Sequence, residues 1–315
     1  MKHLRYGDKL GRWHSPRILL LGIMLLAAGR AAAQVHAHMK LWDRMYRYPQ
    51  INSIEFQGNV PSLSMYDAMY GHGAMWENEY IGFRVYMDHR QSIDLYGKQK
   101  AQLELDSTNF YSTPELMAEG FGEDILFVGA SIGAGSFRGY ADGQPAFVAP
   151  VKARGQRILQ EGPDTAVVEI YARDWQYRGQ NLQFRQRFTA IRGHREVQID
   201  VWIEGCSDKE VFATGVQKLE MKNEGFMDPT GLVGSWGANV PDKDNHPELV
   251  ETLGIGLRVP QEYLVQVKED DLNYLCLVHP VGGHIRYFLA AASDMQLENG
   301  FHSSSDWFQW LKCKL

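Results

Sequence analysis

The sequence predicts an all-β protein built mainly from antiparallel strands. Apolar and polar residues alternate with a period of two over residues 80–88 and again over residues 195–205, which is typical of strands. Other short apolar runs follow at near-regular spacing, separated by turn signals such as Asp142-Gly143 and Gly282-Gly283. Many short strands with this spacing favour a sandwich or a barrel.

The N-terminus carries the pattern of a secretory signal peptide over residues 1–33. A basic region precedes the apolar run Ile18–Ala28, and the small residues Ala31-Ala32-Ala33 precede Gln34. The apolar run is too short to span a bilayer, and no cysteine follows the cleavage site to carry a lipid anchor. We therefore expect a secreted or periplasmic protein with no membrane span in the mature chain, and a single domain over residues 34–315.

Strands account for most of the predicted elements, and two short helices complete them. Thr113-Pro114-Glu115 begins one helix, which ends before Gly120. Ser303 to Ser305 cap a C-terminal helix with a bulky apolar surface that includes Trp307. The remaining candidate strands are residues 125–128, 165–172, 183–191, 211–219, 263–267, 274–279 and 284–291.

Charge and cysteine content exclude several classes of function. The net charge is −6 and no basic stripe occurs, so nucleic acid is not expected as a partner. The three cysteines fit neither a disulfide framework nor a zinc site, and no H-x-x-x-H or H-E-x-x-H spacing supports a metal. His36 and His38 are expected in a disordered tail of the mature chain. We predict no metal and no cofactor, and leave open a calcium ion that binds the substrate's carboxylate.

The polar face of the strand at residues 80–88 is the first candidate site. It presents Tyr80, Arg84 and Tyr86, where an ordinary solvent-facing strand carries lysine, glutamate, threonine and serine. His72, between two glycines, and the pair Glu77 and Glu79 lie just upstream. Aromatic planes, a fixed cation, an imidazole and carboxylates together suit a pocket for an acidic sugar. The alternative is a strand whose outer face is covered by a second sheet.

Further candidates lie later in the chain. His279 and His284 bracket a predicted hairpin loop, so they are expected near each other across two strands. Lys218 ends an otherwise apolar strand, and Trp236 lies in a glycine-rich loop suited to stacking on a sugar ring. Structural roles are the alternative for each. The run Gly129–Gly133 matches a nucleophile elbow, but no helix pattern follows, so serine hydrolysis is disfavoured.

Several segments together resemble a secreted bacterial family of unknown function, DUF4861, whose genes often lie beside those of glycan-degrading enzymes. The resemblance covers nearly all of the mature chain. It implies a β-supersandwich of the galactose-mutarotase type with a short C-terminal helix. It also implies an oligosaccharide or polysaccharide partner, particularly one that contains uronic acid. The segments are Tyr70–Gly73, Glu77–Tyr80, Phe83–Tyr86, Asp94–Lys98, Gly133–Gly135 and Phe212–Lys218.

These residues suggest β-elimination from a uronic acid, by a lyase or by a dehydratase at the non-reducing end. Arg84 would neutralise the substrate's carboxylate, and His72 or Tyr80 would remove the proton at C5. The acid would be Tyr86, His279 or Lys218. The substrate-binding candidates are Glu77, Glu79, Lys218, Trp236 and His284.

Other activities stay open at this point. Glu77 and Glu79 are a carboxylate pair that a glycoside hydrolase would use. An epimerase or a mutarotase-like enzyme would use the same histidine and glutamates without elimination. A non-catalytic periplasmic protein would need only the aromatics and the arginine to bind a sugar.

Overall fold

The computed structural model describes residues 35–42, 48–58 and 68–315, and in these the predicted all-β architecture is confirmed. Three antiparallel sheets form a β-supersandwich, and the predicted signal peptide lies outside the described residues. The first sheet has the order β1-β3-β4-β5-β6. Its strands are β1 (Val35–Leu41), β3 (Met69–Asn78), β4 (Gly82–Tyr86), β5 (Ile93–Gly97) and β6 (Glu123–Asp124).

The second sheet is the largest and forms the centre of the molecule. Its nine strands are, in spatial order, β14 (Met221–Asp228), β15 (Leu232–Asn239), β16 (Glu251–Arg258), β19 (His284–Ser293), β12 (Val197–Glu204), β11 (Gln180–Ile191), β10 (Thr165–Tyr177), β9 (Ala153–Glu161) and β2 (Ser53–Gln57). The third sheet consists of β17 (Leu264–Glu269), β18 (Asn273–Val278), β13 (Phe212–Gln217), β7 (Arg138–Ala141) and β8 (Gln144–Ala146).

Aromatic packing joins the first sheet to the central one. The indole of Trp76 on β3 stacks on Phe83 at 5.4 Å and on Phe188 of β11 at 4.5 Å between ring centroids. All three side chains are fully buried. Each such side chain removes a large apolar area from water, so this contact stabilises the stacked sheets.

Both predicted helices are present, together with a shorter one, α1 (Leu105–Thr108). Helix α2 (Pro114–Ala118) begins after Thr113, whose side chain accepts a hydrogen bond from the Leu116 amide. Helix α3 (Ser304–Lys314) begins after Ser303, whose side chain accepts from the Asp306 amide. The C-terminal helix packs Trp307 against the central sheet. Among the described residues, no helix is long and apolar enough to cross a membrane.

Three local predictions were wrong. Residues 125–128 form no strand, because side chains bind their amides: the Phe127 amide donates to Asn239 Oδ1 at 2.6 Å. Trp236 lies in strand β15 and is buried, not in a flexible loop. His36 and His38 lie in β1, paired with β3, and not in a disordered tail.

Candidate functional site

A cleft of about 880 Å³ opens at the edge of the first sheet. Its floor is made by Arg84 and Tyr86 of β4, and one wall is made by the segment after α1 and by α2. The opposite wall is β6 with the residues that follow it, and residues 241–249 close one end. Its volume falls within the range of about 300–1,000 Å³ that is usual for small-ligand sites.

Arg84 is the centre of the hydrogen-bond network in this cleft. Its Nε and Nη2 atoms donate to Asp94 Oδ2 at 3.1 and 2.7 Å, and Nη2 also donates to Asp124 Oδ2 at 2.9 Å. Its Nη1 atom donates to the Tyr111 hydroxyl at 2.7 Å, and Nη2 donates to the Tyr86 hydroxyl at 2.9 Å. One guanidinium therefore orients two phenols and two carboxyl groups.

Strand register explains part of this arrangement. Arg84 and Asp94 are directly opposite each other in the antiparallel pair of β4 and β5. Side chains of a directly opposed pair lie about 4.5–5.5 Å apart at Cβ, so a buried ion pair forms across the two strands. Asp124 belongs to β6, the edge strand that pairs with β5 in the same sheet.

An unusual turn brings Tyr111 to the cleft. Asn109 and Phe110 both have positive φ, 48° and 76°, where α1 ends. The turn places the Phe110 ring 4.1 Å from the Arg84 guanidinium carbon and the Tyr111 hydroxyl on its Nη1 atom. Positive φ is a costly conformation for a bulky residue such as phenylalanine, and such strain is concentrated at functional sites.

Burial sets the charge of this cluster. Burial and the neighbouring Asp94 raise the pKa of Asp124 well above its usual value, and Arg84 offsets only part of that rise. Burial opposes the charge on Arg84, but Tyr86, Tyr111, Asp94 and Asp124 raise its pKa well above the usual value. Burial therefore favours the protonated form of Asp124, whereas Arg84 keeps its charge and pairs with Asp94.

A second pair of carboxyl groups lies beside the cleft. Glu123 of β6 lines it, and the Glu123 side chain hydrogen-bonds the side chain of Glu251 on β16. Burial raises the pKa of Glu123, and burial together with Glu123 raises the pKa of Glu251 to about 8. Like charges in contact disfavour double ionisation, so the pair holds one proton near neutral pH. Glu123 is then a carboxylate that accepts a hydrogen bond from protonated Glu251.

This pair predicts how stability depends on pH. The folded pKa of Glu251 is raised from 4.5 to about 8, so the folded chain binds more protons than the unfolded chain between these values. The free energy of unfolding should therefore fall as the pH rises from about 4.5 to about 8. Denaturant unfolding at several pH values measures it. Glu251→Gln should make the free energy of unfolding depend less on pH. Glu204→Gln, at an exposed position of β12, should leave the pH dependence of the wild type unchanged. An equal pH dependence in the wild type and both variants would contradict the prediction.

The structure brings only two of the ten predicted site residues to the cleft, Arg84 and Tyr86. His72 lies nearby on β3, with its ring 6.2 Å from that of Tyr111, but does not line the cleft. Tyr80 packs instead against Arg195. The guanidinium carbon of Arg195 lies 4.6 Å from the centroid of the Tyr80 ring.

The two predicted glutamates have structural contacts. Glu77 is buried and forms an ion pair of 2.5 Å with Lys98, and its carboxylate also accepts hydrogen bonds from the backbone amides of Glu104 and Leu105. Glu79 accepts a hydrogen bond from the Gly193 amide at 3.0 Å. Neither side chain lines the cleft, so Glu77 and Glu79 do not form a carboxylate pair there.

The other predicted residues lie on the central and third sheets or next to them, away from the cleft lining. Lys218 pairs with Glu269 at 2.8 Å, and Trp236 packs in the cluster under helix α3. His284 binds Asp200 through Nε2 at 2.8 Å. The Nδ1 atom of His279 lies 3.1 Å from the Asp208 carbonyl oxygen, so the two histidines of the hairpin have separate partners.

Sequence reasoning missed Tyr111, Glu123, Asp124 and Glu251. Tyr111 follows α1, Glu123 and Asp124 form β6, and Glu251 lies on β16 beside the cleft, so no local sequence pattern contains all four. The one available signal was the dipeptide Glu123-Asp124 after a glycine-bounded turn, before an apolar run that was interpreted as a strand.

The fold and the cleft define a β-supersandwich protein with buried acid–base groups at the edge of one sheet. The chain belongs to the family described as a domain of unknown function, DUF4861, whose model matches residues 27–314. The family prediction is therefore confirmed. Among curated proteins, none has a sequence that matches this chain.

Two solved structures show a distant likeness. A TPR-domain containing protein from Parabacteroides distasonis has 9% identity and a TM-score of 0.40, and the alignment covers 82% of this chain and 54% of that one. A putative aldose 1-epimerase from Klebsiella pneumoniae has 12% identity and a TM-score of 0.30, with 82% of this chain and 91% of that chain covered. The chain thus spans about half the length of the first protein, and likenesses of this degree carry no argument about activity.

Proposed function

We propose that this protein is a carbohydrate-active enzyme that catalyses β-elimination from a uronic acid in the cleft around Arg84. One observation carries the proposal: Arg84 holds a phenol and a carboxyl group on its two terminal nitrogens, with Tyr111 at 2.7 Å and Asp124 at 2.9 Å. Elimination needs a group that neutralises the substrate's carboxylate, a base and an acid. The cleft supplies a candidate for each.

The neutralising group is Asp124 together with Arg84. A protonated carboxyl group donates a hydrogen bond to the substrate's carboxylate, and the guanidinium stabilises the negative charge that develops when the C5 proton is removed. Arg84 was predicted for this role from the sequence. We assign Asp124 to the same role, because its raised pKa favours the uncharged carboxyl group.

The base is Glu123 and the acid is Tyr111. A carboxylate with a raised pKa is a stronger base than an ordinary one, and Glu251 holds the proton that keeps Glu123 ready to accept another. Tyr111 donates its proton to the oxygen that leaves C4, and its phenolate is then held by Arg84. His72 and Tyr80, the bases suggested by the sequence, do not line the cleft, so Glu123 takes this role in the proposal.

Hydrolysis is the second candidate. Glu123 and Asp124 both line the cleft, and Asp124 is expected to hold a proton while Glu123 is expected to be ionised. A protonated and an ionised carboxyl group that flank one sugar linkage are what a glycoside hydrolase needs. The secreted or periplasmic location is also a proposal, and it rests on the sequence of residues 1–33 alone.

The experiment that tests the proposal uses purified protein and a panel of uronic-acid oligosaccharides. Elimination creates a double bond between C4 and C5, conjugated to the carboxylate, so ultraviolet absorbance should grow with time. Chain cleavage with this absorbance indicates a lyase, and loss of water without cleavage indicates a dehydratase. New reducing ends without absorbance would favour hydrolysis. Binding without any product would contradict an enzyme and favour a carbohydrate-binding protein.

A further inference from the structure

A second cluster of chemically active side chains lies outside the cleft, between β1 and α1. The imidazoles of His36 and His38 project from one face of β1, and the carboxylate of Asp106 in α1 lies opposite. One potential ligand atom of each residue lies within 4.8 Å of the others. The spacing of two residues puts both histidines on the same side of a strand.

The buried imidazoles lack the partners that such groups normally have. His38 is 1% exposed, and neither of its ring nitrogens makes a hydrogen bond of normal geometry among the described residues; the Asn109 side chain is its one polar neighbour close enough to raise its pKa through a side-chain contact. Nε2 of His36 is also buried without one. Buried polar atoms are nearly always hydrogen-bonded, because an unpaired one loses its contacts with water and gains nothing. Three unpaired nitrogens at one place therefore indicate a ligand.

The remaining contacts orient these groups. Nδ1 of His36 lies 2.8 Å from Glu161 Oε1, so Nε2 is the nitrogen that remains for a ligand. A carboxylate on the far nitrogen is the usual partner of a metal-binding histidine. Lys40 donates to Asp106 Oδ1 at 3.0 Å, which leaves Oδ2 of that carboxylate for another partner. The Lys40 ammonium is a charge that opposes a cation here, and Asp106 and Glu161 offset it.

We propose that His36, His38 and Asp106 bind a divalent transition-metal ion, with zinc as the natural fit. Two imidazole nitrogens and a carboxylate oxygen are ligands that zinc prefers, whereas calcium takes oxygen ligands. Ligand atoms that share one zinc ion lie about 3–4 Å apart. Small side-chain rotations would bring the three ligand atoms from within 4.8 Å of one another to that separation.

The bound ion would link β1 to α1. The chain that leaves α1 carries Phe110 and Tyr111 to Arg84, so the ion would hold one wall of the cleft in place. Its role is structural, and it does not depend on the reaction that the cleft performs. The predicted absence of a metal depends on a disordered tail around His36 and His38, whereas both residues lie in β1.

The test uses the full chain without a polyhistidine tag, stripped of metal by a chelator. Titration with zinc, followed by calorimetry, should give one ion per chain and a rise in the melting temperature. His38→Gln and Asp106→Asn should each weaken zinc binding at least tenfold. Asp106 is exposed, so its variant is expected to fold even if the change at His38 disturbs the core. His302→Gln, at an exposed histidine paired with Asp294, is the matched control and should bind like the wild type.

Cobalt in place of zinc adds a spectroscopic readout. Nitrogen and oxygen ligands give visible d–d bands without the charge-transfer absorption of a thiolate. A thiolate band would place the ion on one of the free cysteines and overturn the proposal. Absence of binding, or equal affinity in Asp106→Asn, His38→Gln and wild type, would overturn it as well.

Discussion

Glu123→Gln is expected to lower the turnover of uronic-acid oligosaccharides by roughly 10²–10⁴-fold, the usual contribution of a general base. Glutamine keeps the size of the side chain and its hydrogen bonding but accepts no proton. The Michaelis constant should change much less than kcat, because the same cleft still binds the sugar. The rate is measured as ultraviolet absorbance on the first substrate that the panel identifies.

The matched control is Glu204→Gln, the same chemical change at an exposed glutamate of β12. It should leave kcat within the experimental scatter of the wild type. A kcat of Glu123→Gln close to that of Glu204→Gln would exclude Glu123 as the base. The base would then have to be sought among other groups, with His72 beside Tyr111 as the first to examine.

Lys98→Met is expected to destabilise the fold by about 3–5 kcal/mol, the cost of leaving a buried charge without its partner. Lys98 Nζ is fully buried and donates to Glu77 Oε2 at 2.5 Å and to the carbonyl oxygens of Asn78 and Gln102 at 2.6 Å each. Methionine keeps most of the apolar stem and removes the charge, so the Glu77 carboxylate would stay buried without a cation. Equilibrium unfolding in urea measures the change.

The control for this change is Lys100→Met two residues further along the chain. Lys100 is exposed and donates to the Glu119 carbonyl oxygen at 2.8 Å, so its replacement should cost less than about 0.5 kcal/mol. Similar losses in the two variants would contradict a special role for the buried pair. A large loss of stability in Lys98→Met would assign Glu77 to the scaffold and not to substrate binding.

The strands and the caps could be predicted because their causes are local. The alternation over residues 195–205 produces β12, and Thr113 and Ser303 begin the helices that follow them. Polar caps and a period of two depend on neighbours in the chain, so one sequence is enough to find them.

The cleft could be predicted only in part. Arg84 was found because a cation and aromatics on one strand face are unusual. Its partners Tyr111 and Asp124 come from other elements, and a turn with two residues at positive φ places one of them. No short-range pattern encodes such long-range contacts.

Local context also explains the misplaced candidates. His279 and His284 do bracket a hairpin loop, but their side chains have separate partners, the Asp208 backbone and the Asp200 carboxylate. Glu77 has the residue type of a catalytic acid, yet Lys98 from the loop after β5 neutralises it inside the protein. A residue type and a spacing identify candidates, whereas the partner that each one meets decides its role.

The central claim is elimination at C5 and C4 of a uronic acid, and product analysis in water labelled with heavy oxygen tests it most directly. Elimination breaks the bond to the leaving oxygen without adding water, so mass spectrometry should show an unsaturated product that contains no label. One labelled oxygen for each linkage cleaved, carried by one of the two saturated products, would mean hydrolysis and would contradict the proposed reaction.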